Sequence, residues 1–150
     1  MNLPTNYEYF ERKTPNTIEK LLIEHGDDVC RNIIGISYLR DQLTLYDFGF
    51  IHRTQNTIHS FVLCKLNTEF SDVGILLVCS RPQITDGCIM LEFVHESASR
   101  LGMTSMSLIM VERENTQLLD WYKSNGFLVQ SYKQDKHNPH IKVYSMRKKV

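Results

Sequence analysis

The sequence predicts a mixed α/β domain in the order β-α-α-β-β-β-α-β-α-β-β, a mixed sheet with helices on its faces. Three observations carry this. The hydrophobic period switches repeatedly between two residues and three to four. Two short apolar runs, 73–79 (VGILLVC) and 105–111 (SMSLIMV), read as central strands. Each is followed by a helical pattern that closes on a glycine, Gly102 and Gly126.

The elements follow in order. Residues 7–13 (YEYFERK) alternate, which makes them a first strand. Thr14-Pro15 opens a helix, with threonine as N-cap and proline at the first helical position. Ile18, Leu21 and Leu22 form its apolar stripe, and Gly26 is the expected stop. Asp28 is the expected cap of a second helix with Val29, Ile33 and Ile36 on one side; Gly35 weakens that helix. Residues 45–53 and 57–66 alternate around Gln55-Asn56, which predicts a β-hairpin. A loop at 67–72 leads into 73–79, and turn formers at 80–86 precede Gly87. Met90, Leu91, Val94, Ala98 and Leu101 form the stripe of a helix over 88–101. After 105–111, Asn115 is placed to cap a helix over 115–125. Residues 127–132 and 141–146 alternate as two closing strands joined by a polar loop.

The chain of 150 residues suits a single domain spanning 1–150. Seventeen Lys+Arg balance 17 Asp+Glu, so the markedly basic footprint of a nucleic-acid binder is missing. With 42% hydrophobic and 23% charged residues the composition excludes a disordered chain. No apolar run approaches the ~18 residues of a membrane span, and residues 1–13 hold no apolar signal region. The cysteines at 30, 64, 79 and 88 form neither a CxxC pair nor a dense framework. Cys64 and Cys79 lie in apolar runs, where a buried reduced thiol is expected, so the expected location is cytoplasmic. His137 and His140 stand three apart but share a loop with Pro139 and have no third ligand, which argues against a metal site. Arg147-Lys148-Lys149 reads as a solvated basic end, and Trp121 as a packing residue.

The second half carries a more specific pattern. Val111 ends a strand, and Asn115, Leu118, Trp121, Tyr122, Gly126 and Phe127 follow at fixed spacings. This resembles the Asn-x-x-Ala-x-x-apolar-Tyr-x-x-x-Gly-Phe segment of the GNAT family of N-acetyltransferases, with Leu118 in place of the alanine. The stretch 91–102 (LEFVHESASRLG) is similar to that family's helix after its CoA loop, and 143–148 (VYSMRK) to its last strand. The departure lies in the diphosphate loop, usually Arg/Gln-x-x-Gly-x-Gly/Ala. Aligned from Gln83, the chain has Asp86 and Cys88 where the family has glycines. Aligned with Gly87 as the last glycine, Pro82 replaces the Arg/Gln and Arg81 is one residue off. Both registers stay open.

The resemblance implies a splayed sheet that binds acetyl-CoA and transfers its acetyl group to a primary amine of a small molecule, peptide or protein. The alternative is an inactive GNAT-like domain that binds CoA or a protein partner, which the eroded loop would suit. Cofactor contacts are expected from Leu77 and Val78 through their backbone, from Arg81, Gln83, Thr85, Asp86, Gly87 and Cys88 at a helix N-terminus, and from Asn115 and Tyr122. Tyr122 is the expected general acid for the departing thiolate. Asp72 is the first candidate base; Glu69, His52, His59, Glu112 and Glu114 are others. An aspartate at position 86 would repel a diphosphate if it pointed at one. A monomer or homodimer, with no nucleic-acid or membrane partner, completes the expectation.

Overall fold

The computed structural model describes residues 1–12, 17–30, 36–81, 86–112 and 118–150. The elements are β1 (Tyr7–Glu11), α1 (Thr17–Val29), α2 (Ile36–Leu43), β2 (Phe48–Thr54), β3 (Thr57–Asn67), β4 (Asp72–Ser80), α3 (Gly87–Arg100), β5 (Ser105–Glu112), α4 (Leu118–Ser124), β6 (Leu128–Gln134) and β7 (Lys142–Lys149). Their order is the one the hydrophobic periods predict. Among the described residues they form one seven-stranded sheet, β1-β2-β3-β4-β5-β7-β6. Every neighbouring pair is antiparallel except β4 and β5, which are parallel because α3 crosses between them.

Two cores fill the two faces. On one, Met90, Leu91, Val94 and Ala98 of α3 and Tyr122 of α4 pack on Phe48, Phe50, Val73, Ile75, Met106 and Leu108. On the other, Ile18, Leu21 and Leu22 of α1 and Leu39 and Leu43 of α2 pack on Phe61, Leu63, Leu77 and Cys79. Strand β4 changes faces midway. Leu63 pairs with Leu77 and Cys64 with Ile75, so Leu76 is an extra residue, a β-bulge. Upstream of it Val73 and Ile75 face the α3 core; downstream Leu77 and Cys79 face the α1 core.

Three local expectations are corrected. Helix α1 does not stop at Gly26 but runs to Val29. Gly26 is a contact point: a Cβ there would sit 2.9 Å from a Leu39 methyl, so glycine lets α2 lie close against α1. Asp28 therefore belongs to the last turn of α1 rather than to the start of a second helix; the next described helix, α2, begins at Ile36, residues 31–35 lying outside the described residues. Cys79 is not a free thiol but is bonded to Cys30, with the Cα atoms 5.1 Å apart. That bond ties the end of α1 to the far half of β4. Cys64 remains a buried free thiol whose burial pushes its pKa up, as its apolar run predicts.

Candidate active site

The parallel ladder between β4 and β5 is short. It joins Asp72, Val73, Gly74 and Ile75 to Ser105, Met106, Ser107 and Leu108, and no pair follows. Beyond it β4 stays with β3, up to Ser80 opposite Ser60, while β5 stays with β7, up to Glu112 opposite Lys142. The two central strands thus part at the Leu76 bulge, and a notch opens in the middle of the sheet. On the side that carries α2, a cleft of about 510 Å³ lies over this notch. Its walls are Tyr38 and Gln42 of α2, residues 74–76 of β4, residues 107–109 of β5, Gln130 of β6 and residues 145–147 of β7.

Asp72 sits at the root of the notch, 3% exposed. Ser105 donates a hydrogen bond to one of its oxygens at 2.7 Å, and Ser107 donates to the other. The carboxylate itself does not line the cleft, whereas Ser107 does. Ser107 is a residue the sequence reading passed over. Its signal was there: Ser105 and Ser107 are two hydroxyls on one face of an otherwise apolar strand. Of the other base candidates, Glu69 lies in a 3-10 turn outside the cleft lining, and Glu114 lies outside the described residues.

Tyr122 is on the opposite face. It is buried against Trp121 and Phe127, edge to face with each at ring separations of 4.9 and 5.8 Å. Burial pushes its phenol up to about 12, so the proton stays on the oxygen throughout the neutral range. Trp121 lies on Gly87: a Cβ there would come within 2.7 Å of the indole. Glycine at 87 is thus required by packing of α4 onto the first turn of α3. Helix α3 begins at Gly87, and the first intrahelical bond among the described residues runs from Met90 N–H to the Asp86 carbonyl, so Gly87, Cys88 and Ile89 form the N-terminal turn.

Asp86 is the first-turn neighbour whose charge raised the question of repulsion. It is 7% exposed and points into the protein. Tyr7 donates to it at 2.7 Å, Ser60 at 3.0 Å, and His52 Nδ1 donates as well. Burial alone would raise its pKa, but these three hydrogen bonds and the His52 charge together hold it below the usual carboxylate range. Tyr7 in turn stacks on His52 with ring centroids 4.2 Å apart, and His59 stands 4.7 Å from His52. His59 is lowered, first by burial and then by the charges of His52 and Arg81. The His52 ring is bonded to Asp86 and the His59 ring to the Thr54 hydroxyl at the β2–β3 side, and neither lines the cleft. Arg81 is drawn to the same side, where its Nε donates to the Ile58 carbonyl at 2.8 Å.

The remaining expected contacts divide simply. Leu77 and Val78 lie on the half of β4 that has left β5. Cys88 is exposed at the start of α3. Gln83, Thr85 and Asn115 lie outside the described residues. Among the described residues no group of three or more His, Cys, Asp or Glu is placed to hold a metal, and no helix is long and apolar enough to cross a membrane.

No protein-family model matches the chain, and no curated protein matches its sequence. Solved structures do match in three dimensions. An acetyltransferase of the GNAT family from Desulfovibrio desulfuricans superposes with a TM-score of 0.75 at 8% identity, covering 95% of this chain and 98% of that one. An aminoglycoside 6'-N-acetyltransferase from Enterococcus faecium gives 0.71 at 10% identity, over 95% and 96% of the two chains. The PaiA N-acetyltransferase from Thermoplasma acidophilum, in complex with coenzyme A, gives 0.62 at 16% identity, over 96% and 99%. The parted central strands, the bulge beside them and these superpositions over nearly the whole chain agree: this protein has the GNAT N-acetyltransferase fold.

Proposed function

We propose that the protein transfers an acetyl group from acetyl-CoA to a primary amine. The observation that carries this reading is the notch between β4 and β5, with a cleft of mixed polar and apolar lining on one face and a helix N-terminus beside a buried tyrosine on the other. The GNAT fold and the coenzyme A complex of a structural neighbour support it.

The roles follow from the geometry. Beyond Ile75 the β5-facing edge of β4 is without a ladder, and its peptide groups through residue 80 are available to an extended pantetheine-like chain. The first-turn amides of α3 suit a diphosphate by their direction and by the helix dipole. Gln83, Thr85 and Asn115 complete the proposed cofactor set. Acetyl-CoA supplies the activated carbonyl; the C–N bond forms and the C–S bond breaks, so one proton leaves nitrogen and one reaches sulfur. On the cleft side Ser107 receives the amine proton while its own passes to Asp72. On the other side Tyr122 donates a hydrogen bond to the departing sulfur. Complete transfer from a phenol near 12 to a thiolate whose acid lies near ~8.5 runs uphill, so solvent supplies the final proton.

The rival reading, an inactive binding domain, draws its support from the eroded glycine loop, in which one register places Asp86 where the family has glycine. That support weakens because the Asp86 carboxylate is turned inward onto three donors. A cytoplasmic location is likewise proposed, and the Cys30–Cys79 bond is the observation against it; counting free thiols in protein taken from intact cells decides.

The test is purified protein with acetyl-CoA and a panel of amines, followed by free-thiol release. Thermal stabilisation by CoA is read in parallel and should reach ~2.7 kcal/mol at 100 times its Kd. Release without an acceptor effect, or no stabilisation, would sink the proposal. Tyr122→Phe separates the rivals: an enzyme slows with CoA affinity retained, whereas a binding domain's partner affinity is indifferent.

A further inference from the structure

The cleft over the notch has a polarity that selects its acceptor. Among the described residues that line it, Arg147 carries the sole charged side chain; Tyr38, Gln42, Ser107, Gln130 and Ser145 supply neutral polar groups. Among the described residues Arg147 makes no ion pair and no side-chain hydrogen bond, and it is exposed. Its place in the sheet is specific. Arg147 on β7 stands directly opposite Ser107 on β5, and Ser107 stands beside Gly74 on β4 at the edge of the notch. Directly opposed residues of an antiparallel pair point the same way, with Cβ atoms ~5 Å apart. A guanidinium thus rises from the cleft floor next to the hydroxyl that is hydrogen-bonded to Asp72.

We propose that the acceptor is an amino acid: a small molecule whose carboxylate is gripped by Arg147 and whose amine is held over Ser107. This rests on the acetyl-transfer reading and names its substrate class. A guanidinium offers two parallel N–H donors that match the two oxygens of a carboxylate. The same charge disfavours an acceptor that brings only cations, and among the described lining residues no carboxylate offsets it. Among the described lining residues a polyamine or an aminoglycoside would meet one arginine, with the Asp72 carboxylate behind Ser107 rather than in the wall. An amino acid instead places a negative group on Arg147 and leaves its amine a few bonds away, at the notch. The neutral amides and hydroxyls around the rim suit its remaining polar atoms.

The test compares L-leucine, L-glutamate and L-lysine, each beside its α-carboxamide, and an aminoglycoside, in acetyl transfer by the wild type and by Arg147→Met and Arg147→Lys. CoA binding is measured by calorimetry for each protein. The carboxylate-to-carboxamide ratio of kcat/KM should be about 10- to 100-fold higher in the wild type than in Arg147→Met, the range of a charge-assisted hydrogen bond. The difference should arise through KM, and Arg147→Lys should restore part of it. The intrinsic basicities of each amine pair are the same for every variant, so the change in the ratio isolates the guanidinium. A carboxylate-to-carboxamide ratio that is unchanged in Arg147→Met overturns the inference, as does an aminoglycoside used as well as the amino acid. If CoA does not bind at all, the acetyl-transfer reading fails first and the inference with it; if CoA binds and other amines are acetylated but amino acids are not, only the inference fails.

Discussion

Two aspartates are buried in this protein to similar depth, Asp72 at 3% and Asp86 at 7% exposure, and their surroundings assign them opposite work. Asp72 is held by two serine hydroxyls, one of which opens onto the cleft. A hydroxyl both gives and takes a proton, so Ser107 links Asp72 to the cleft although the carboxylate does not line it. Asp86 is held by a phenol, a histidine and a serine that close around it on three strands, β1, β2 and β3. It clamps the start of α3 to the far half of the sheet, and its charge is spent inside. Burial alone therefore says little about what a carboxylate does. The donors around it, and whether one of them faces a cavity, decide.

The largest expected effect tests the first half of that contrast. Asp72→Asn should lower kcat by ~10²–10⁴-fold, the usual loss on removing a general base, while CoA affinity stays. Ser107→Ala should fall in the same direction by less, because water can replace the hydroxyl. Asp86→Asn, equally buried, should leave kcat far closer to the wild type. If the two Asp→Asn variants lose activity equally, the division of labour is wrong.

The second expectation concerns stability. His52→Ala leaves Asp86 with one donor fewer and no charged neighbour at that contact. Breaking a fully buried pair costs ~3–5 kcal/mol. Here the side chains are 19% and 10% exposed, so about 2 kcal/mol is expected, read from urea midpoints. A loss below that of Ser107→Ala would remove His52 from the clamp. Opening the Cys30–Cys79 bond should cost a comparable ~2–4 kcal/mol, since it closes a separation of 49 residues, and thermal unfolding with and without reductant measures it.

Much of the fold was legible because its signals are local. The order of elements follows from the hydrophobic periods, and the Tyr122-Gly126-Phe127 segment from fixed spacing within one helix and its stop. What escaped was set by long-range contact. Asp86 finds its partners 79, 34 and 26 residues away, and no pattern around it indicates which way it faces. The bulge at Leu76 is invisible in ILLVC because apolar residues on both faces hide a change of face. Gly26 looked like a helix stop because glycine ends helices often; its reason here is a leucine methyl on another helix. Arg147 read as part of a basic tail, since only the β5–β7 register sets it beside Ser107.

The smallest effect is the response to acid, and it sharpens the contrast by its sign. Asp86 and His59 are both held below their usual pKa values in the fold. A group lowered on folding adds stability above its unfolded pKa and loses it as pH falls through the folded one. Stability should therefore begin to decline below pH ~6.5 as His59 is forced to accept a proton, and decline further below ~4 as Asp86 does. In Asp86→Asn the second decline should flatten. The first should persist and steepen slightly, because the Asp86 charge favours the protonated His59 and its removal lowers that group further. Calorimetric Tm values from pH 7 to 3 for the two proteins give the comparison. A wild type that gains stability between pH 7 and 5, or an Asp86→Asn curve parallel to it below pH 4, would place the acid-sensitive groups elsewhere and leave the Asp86 clamp without its electrostatic role.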